Sequence, residues 1–279
     1  MDNDVTSLNA EINAGKLELD RLVAMGWDVY RRNFVSILPI VLIIGIPLDI
    51  IRSMITGGET PVSGSAGGSP LLTLIYVTME ILFRTLSYLA LFWLIDSSVN
   101  GNKPSSGEAF RHVFSRWGAS IGTTLLLGVI LIGMTLLLFA PVWWLFYRFP
   151  LISVEWKIVS LLLFLPGVVL WISYSFFLMA VGVRGLSGKR ALDYSKGLVQ
   201  GQWWRVFGFE MVFLLFYIVF SSAIQPLLVM LPASPVVQIS AYVVYDLFFA
   251  LTQAMTMIFF LNIEATKRGA ELTPDFMGQ

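Results

Sequence analysis

The sequence contains no cysteine, which excludes disulfide bonds, thiolate catalysis and cysteine metal sites. It is also poor in charge, because charged residues make up only 13% of its 279 residues, about half of the ~25% found in soluble domains. The formal net charge is zero, so no overall basic field attracts a nucleic acid. What is abundant is apolar: 57% of the residues are hydrophobic and the mean hydropathy is +0.78, which indicates a protein that crosses a membrane several times.

The N-terminal region lacks the apolar core of a signal peptide. Residues 1–15 are polar, and we expect them to have no regular structure. Residues 17–30 place most of their apolar side chains on one side at helical spacing. This pattern predicts a helix that lies in the membrane interface and leads into the first span.

Six apolar runs are each long enough to cross the ~30 Å hydrocarbon core of a bilayer. They lie at 34–55, 70–95, 119–146, 158–183, 206–230 and 236–263. Of the 18 lysines and arginines, 14 fall on the side of the N-terminus and three on the other side. This asymmetry predicts an even number of spans with both termini in the cytoplasm.

The chain therefore divides into three parts. We expect a cytoplasmic N-terminal segment with an interfacial helix (1–33), a six-span transmembrane domain (34–263) and a cytoplasmic tail (264–279).

The six spans form three similar units. Phe34, Trp117 and Trp204 each end an amphipathic segment and begin a span, and they lie 83 and 87 residues apart. Aromatic and basic residues gather at the cytoplasmic interface of any membrane protein, so the aromatic cluster alone has an ordinary explanation. The regular spacing favours an all-α fold of three repeats, in which each interfacial helix is followed by a pair of spans.

Two segments near the fifth span carry a family resemblance. Residues 191–195 (ALDYS) and 201–208 (GQWWRVFG) resemble the hallmark of a group of prokaryotic membrane proteins, and residues 30–34 (YRRNF) resemble the same group's entry to its first span. That group is similar to the membrane domain of some bacterial glycerophosphoryl diester phosphodiesterases. The resemblance implies a membrane module of the prokaryotic cytoplasmic (inner) membrane. Because six spans use up the chain and His112 is its one histidine, we expect the catalytic domain of those enzymes to be absent.

Several polar residues fall inside the predicted spans. Glu80 and Arg84 lie four residues apart and so on one face of a helix. Counted from the outer ends of their spans, Glu80 and Asp246 both reach a depth of ~15 Å. An ionisable group there costs at least ~2.5–3.5 kcal/mol unless it is paired or hydrated. The sequence therefore predicts a cluster of Glu80, Arg84 and Asp246, extended along the last span by Gln253.

This intramembrane cluster has two interpretations. The simpler one is a static ion-pair lock between the second and sixth spans, and the alternative is a functional polar site such as a proton or ion relay or a headgroup pocket. Asp49 and Arg52 lie near the outer end of the first span, where we expect them to pair or to reach the interface.

A second set of residues is predicted to contact lipid headgroups or the membrane interface. Basic residues attract anionic headgroups by ~1 kcal/mol each, and tryptophan favours the boundary between headgroups and acyl chains. The members of this set are Arg31, Arg32, Arg116, Trp117, Trp203, Trp204 and Arg205. The same charges are required for orientation in the membrane, so charge alone does not identify a binding site.

The sequence contains no glycine-rich phosphate loop, nucleophile elbow or metal signature, and we expect neither a cofactor nor a nucleic acid partner. We expect a non-enzymatic integral membrane protein that binds membrane lipids or a membrane protein partner, in a role such as envelope homeostasis. The alternative is a small transporter or channel that uses the mid-membrane cluster. A lipid-headgroup enzyme is the weakest hypothesis, because no nucleophile lies beside a base.

Overall fold

The computed structural model describes residues 2–56, 70–130, 133, 165–230 and 234–272. These residues are helical apart from short connections and contain no strand, so the all-α prediction is confirmed. The second half of the third predicted span, the beginning of the fourth and the last residues of the tail lie outside the described residues.

The described part of the chain contains eleven helices. Their bounds are α1 (Asp2–Asn13), α2 (Leu19–Arg32), α3 (Phe34–Thr56), α4 (Pro70–Val99), α5 (Ser106–Phe114), α6 (Trp117–Ile130), α7 (Leu165–Ser173), α8 (Phe177–Gly182), α9 (Lys189–Val199), α10 (Trp203–Met230) and α11 (Pro235–Leu272).

Five helical segments of the described part are long and apolar enough to cross a membrane. They are Phe34–Arg52, Leu74–Val99, Leu165–Gly182, Trp203–Ile224 and Ile239–Gly269. Helices α5 and α6 would add a sixth span if they are counted as one segment, which bends by 64° at Ser115 and Arg116. The prediction of a multi-pass membrane protein is thus confirmed at five to six spans.

Helix α11 is the element against which most of the protein packs. It contacts α1, α2, α3, α4, α9 and α10. Residues 254–264 of this helix are almost all buried, and Ala254, Met257, Ile258 and Phe260 are each 0% exposed. It also continues without a break to Leu272, so the boundary that the sequence suggests at residue 263 falls inside a helix.

The two ends of the helix bundle differ. The end that carries α1, α2 and the end of α11 is called the terminal end below, and the end at which α3 ends and α4 begins is called the opposite end. At the terminal end the buried amide of Asn262 donates to the carbonyl oxygens of Ile12 and Gly15 at 2.8 Å and 2.7 Å, and its oxygen accepts from the N–H of Leu17. One side chain of α11 therefore forms hydrogen bonds with three backbone groups at the connection between α1 and α2.

The expectation that residues 1–15 lack regular structure is wrong. Asp2–Asn13 form α1, and Ile12 is 3% exposed in the hydrophobic core. An ion pair between Arg21 and Glu11 links α1 to α2. Packing against α11 thus stabilises a helix whose own sequence is too short and polar to be stable in isolation.

Helices α2 and α11 approach each other closely at Gly26. A Cβ at this position would lie 2.8 Å from the Cα of Met255 and 2.5 Å from its Cγ. Because the Met255 backbone cannot yield as a side-chain tip can, only glycine allows this separation of the two helices.

We expect Gly26→Ala to lower the thermal unfolding midpoint of the protein in detergent. Overpacking costs ~1–3 kcal/mol, which outweighs the ~1 kcal/mol that alanine gains over glycine inside a helix. Gly208→Ala is the matched control, because Gly208 lies inside α10 with open space around its Cβ position. An unchanged midpoint for Gly26→Ala would contradict the close approach.

Candidate functional site

The structure brings Glu80, Arg84 and Asp246 into contact inside the helix bundle. The Nε of Arg84 donates to Oε1 of Glu80 at 2.9 Å, one helical turn away on α4. Its Nη1 donates to Oδ1 of Asp246 on α11 at 2.8 Å. A single guanidinium thus binds two carboxylates and links α4 to α11.

A glycine on α3 makes room for this contact. A Cβ at Gly45 would lie 2.5 Å from Oδ2 of Asp246, so the carboxylate fills the space beside the α3 backbone. The Asp246 side chain is 11% exposed, whereas those of Arg84 and Glu80 are 24% and 26% exposed. Asp246 is therefore the buried partner of the ion pair, held between α3 and α4.

A small cavity adjoins the ion pair. Its volume is about 20 Å³, room for about one water molecule. The polar residues Arg84, Ser87, Tyr88 and Asp246 line it, together with apolar residues of α3, α4 and α11.

Asp49 lies deeper than its sequence position suggests. It is 0% exposed, and neither carboxylate oxygen has a hydrogen-bond partner among the described residues. The expectation that Asp49 reaches the interface or pairs with Arg52 does not hold for its carboxylate. The Arg52 guanidinium instead lies 4.8 Å from the ring centroid of Tyr242 on α11.

Gln253 stands apart from the ion pair. It is half-buried and lies seven residues, or ~10 Å, along α11 from Asp246. Within the described chain, Gln253 makes none of the hydrogen bonds that join Glu80, Arg84 and Asp246.

The predicted surface residues of α2 face outward. The Arg31 side chain is 71% exposed and that of Arg32 is 42% exposed, and both pair with Asp28 one turn earlier. On the same face of α2, Trp27 is 50% exposed. Buried residues of this helix lie on the other face, among them Met25 and Val29.

The residues at the α5–α6 bend are held by the protein itself. The Nη1 of Arg116 donates to the carbonyl oxygen of Val181 at 3.4 Å. The indole nitrogen of Trp117 donates to the carbonyl oxygen of Leu82 at 3.3 Å. Both side chains therefore fix α6 against α4 and α8 rather than standing free at the surface.

The three neighbouring residues at the start of α10 differ in their exposure. Trp204 is 78% exposed, whereas Trp203 is half-buried and stacks on Phe207 with ring centroids 5.2 Å apart. Arg205 points inward, where its Nη2 donates to the carbonyl oxygen of Leu17 and to Oδ1 of Asn262, both at 2.8 Å. Of the three neighbours, only Trp204 is presented outward.

A second charged network, not anticipated from the sequence, lies at the terminal end. Glu264 on α11 accepts two hydrogen bonds from Arg184, at 3.0 Å and 2.5 Å, and one each from Tyr194 and Arg268. Burial raises the pKa of Tyr194 to about 12, so its hydroxyl stays protonated and donates to the carboxylate. Arg184 and Glu264 each stand at the end of an apolar run, and no local spacing relates them.

Comparison with known proteins gives one relationship. The profile of a family described as "Domain of unknown function (DUF7847)" matches residues 21–266. The chain belongs to the DUF7847 family. The family match includes all or most of every described helix except α1, and it contains all the residues of both charged networks except Arg268. No curated protein and no solved structure matches the chain.

We expect Arg84→Met to be strongly destabilising, because it leaves the carboxylates of Glu80 and Asp246 buried without their cation. Breaking a buried ion pair in this way costs ~3–5 kcal/mol. The triple variant Glu80→Gln/Arg84→Met/Asp246→Asn has no buried charge at these positions and is expected to recover a large part of the loss. Thermal unfolding in detergent measures both effects.

Arg31→Met is the matched control for this experiment. Arg31 is mostly exposed, and substitutions at such positions stay within ~0.5 kcal/mol. If Arg84→Met were no more destabilising than Arg31→Met, the ion pair would not hold α4 to α11.

Proposed function

We propose that this DUF7847 protein is a non-enzymatic integral membrane protein that binds anionic lipid headgroups through its terminal end. The observation that carries the proposal is the outward pair of Trp27 and Arg31, which stand four residues apart on the exposed face of α2. A tryptophan beside an arginine suits the membrane interface, because the indole ring favours the boundary between acyl chains and headgroups and the guanidinium attracts the phosphates.

Two other exposed aromatic residues lie toward the terminal end. Trp204 at the start of α10 is 78% exposed, and Phe114 at the end of α5 is 58% exposed. Arg111 lies one turn before Phe114 and is also exposed. Each basic residue near a membrane surface attracts anionic lipid by ~1 kcal/mol, so several of them together support selective retention of anionic lipids.

The proposal includes an orientation and an architecture. The terminal end faces the cytoplasm of a prokaryotic cell, both termini lie there, and six spans cross the cytoplasmic membrane. The spans form three units of an interfacial helix and a helical pair, and α2–α3–α4 and α9–α10–α11 follow that order. The resemblance to the phosphodiesterase membrane domain supports a role as a membrane module, for example in envelope homeostasis.

We expect the variant Trp27→Ala/Arg31→Ala/Trp204→Ala to retain less anionic phospholipid than the wild type. Native mass spectrometry of protein released gently from its own membrane measures the retained lipid. Loss of one headgroup contact of ~1 kcal/mol lowers retention about fivefold. Trp171→Ala is the matched control, because Trp171 is 63% exposed but lies within the span Leu165–Gly182.

Equal lipid retention by the triple variant and the wild type would remove the main support for lipid binding. A stoichiometric protein in the same spectra would assign the terminal end to a membrane protein partner instead.

The second candidate function is transport, and the buried cluster of Arg84 with its carboxylates favours it. Transport requires that this cluster meet water. Ser87 lines the cavity beside Arg84 and is 8% exposed, so Ser87→Cys places a thiol there with little change in volume.

We expect a polar thiol reagent to leave Ser87→Cys unlabelled in the otherwise cysteine-free protein and to label Arg31→Cys. The first thiol lies beside a cavity for about one water molecule, whereas the second lies on an exposed face. Mass spectrometry of the intact protein measures the labelling. Rapid labelling of Ser87→Cys would shift the assignment from lipid binding to transport.

A further inference from the structure

Asp49 is a buried acid that neither the ion pair nor the terminal end uses. It lies on α3, is 0% exposed and has no hydrogen bond to either carboxylate oxygen within the described residues. A carboxylate that loses its water without gaining a donor or a counter-ion is strongly disfavoured. The protein must therefore either bind a cation at Asp49 or keep its carboxyl group neutral.

Asp49 faces the ion-pair cluster. It follows Gly45 by one helical turn, so the two residues share one face of α3. Gly45 is the residue whose Cβ position Oδ2 of Asp246 approaches. The face of α3 that carries Asp49 is therefore the face that packs against Asp246 of α11.

The charged groups around Asp49 come from all three helices packed at this level. Those that act on its carboxylate are Arg52 on α3, Glu80 and Arg84 on α4, and Asp246 on α11, and the hydroxyl of Tyr76 on α4 lies near as well. Arg84 is already bound to Glu80 and Asp246. An ionised Asp49 would add a third carboxylate beside Arg84, which already serves two, and it has no hydrogen bond to Arg52, whose guanidinium lies over the ring of Tyr242.

A metal ion is a poor occupant of this place. Arg84 brings a positive charge to the site, and no group of three or more potential metal ligands occurs among the described residues. The proton is the cation that a single carboxylate binds without further ligands.

We propose that Asp49 is a proton-binding site: its carboxyl group is neutral while Arg84 is paired with Asp246, and the proton exchanges with solvent water. When the proton leaves, the resulting carboxylate competes with Asp246 for the guanidinium of Arg84. Protonation of Asp49 therefore determines whether Arg84 of α4 pairs with Asp246 on α11 or with Asp49 on α3. This inference does not depend on lipid binding at the terminal end.

The position of Asp49 favours exchange from the opposite end. The carboxylate lies seven residues before the end of α3 at Thr56, a distance of ~10 Å along the helix. At the terminal end, in contrast, α3 begins fifteen residues earlier at Phe34, or ~22 Å away. The short route is thus the one that leads away from the lipid-binding surface.

Infrared difference spectroscopy of the full-length protein in lipid tests the proposal, because a protonated carboxyl has a C=O stretch that an ionised one lacks. At neutral pH we expect this band in the wild type and its loss in Asp49→Asn. Asp49→Glu is expected to keep the band at a shifted frequency, which distinguishes loss of the proton site from loss of the fold. Glu210→Gln, within the span Trp203–Ile224, is the matched control: any band that it removes belongs to Glu210, and the band of Asp49 should remain.

The pH dependence of unfolding gives an independent measurement. A proton that the folded protein keeps and the unfolded chain releases makes the folded state less stable as the pH rises above ~4, where a free aspartate titrates. For one proton, the ratio of folded to unfolded protein falls about tenfold per pH unit. We expect the fall in the wild type to be steeper than in Asp49→Asn by this one proton.

Two results would overturn the proton site. One is a wild-type spectrum with no protonated carboxyl band at neutral pH, and the other is an Asp49→Asn spectrum that retains every protonated carboxyl band of the wild type.

Discussion

A charge inside a bilayer must be neutralised locally, and this constraint governs how the central helices meet. Arg84 is the cation on which they depend. It binds Glu80 on its own helix and Asp246 on α11, while Gly45 on α3 leaves the space in which Asp246 sits. Apolar surfaces alone drive helices together only weakly in lipid, because acyl chains compete equally well for them. The polar contact therefore fixes rotation and register where hydrophobic packing would leave both open.

Helix α11 carries polar contacts at two depths. Asp246 holds it to α4, and Asn262 and Glu264 hold it to the α1–α2 connection and to Arg184. The first level lies sixteen to eighteen residues, or ~24–27 Å, from the second. A helix held at two levels this far apart can neither slide nor rotate freely. These polar contacts give α11 a defined position among the six helices that it contacts, whereas its hydrophobic residues alone would define that position only weakly.

The sequence predicts the parts of this arrangement that depend only on position along the chain. Apolar run length predicts the spans, and equal depth from the outer ends of two spans places Glu80 and Asp246 at one level, where the structure joins both to Arg84. Contacts that depend on rotation about a helix axis could not be predicted. Asp49 stands near a helix end in the sequence yet faces inward, and Arg205 looks like a headgroup ligand yet turns to Asn262. The helical state of α1 likewise follows from a distant surface, α11, and not from its own composition.

The separation of the two levels limits what a proton at Asp49 can do. Glu264 accepts hydrogen bonds from Arg184, Tyr194 and Arg268, so the terminal end of α11 is bound several times over. In the opposite half, the ion pair of Asp246 with Arg84 joins α11 to α4, and the rings of Phe249 and Tyr88 pack beside it. If Arg84 turned to Asp49, α11 would lose its ion pair with α4 in that half and keep its contacts at the terminal end. A proton at Asp49 would therefore act on the opposite half of α11 and not on the exposed Trp27 and Arg31 at the terminal end.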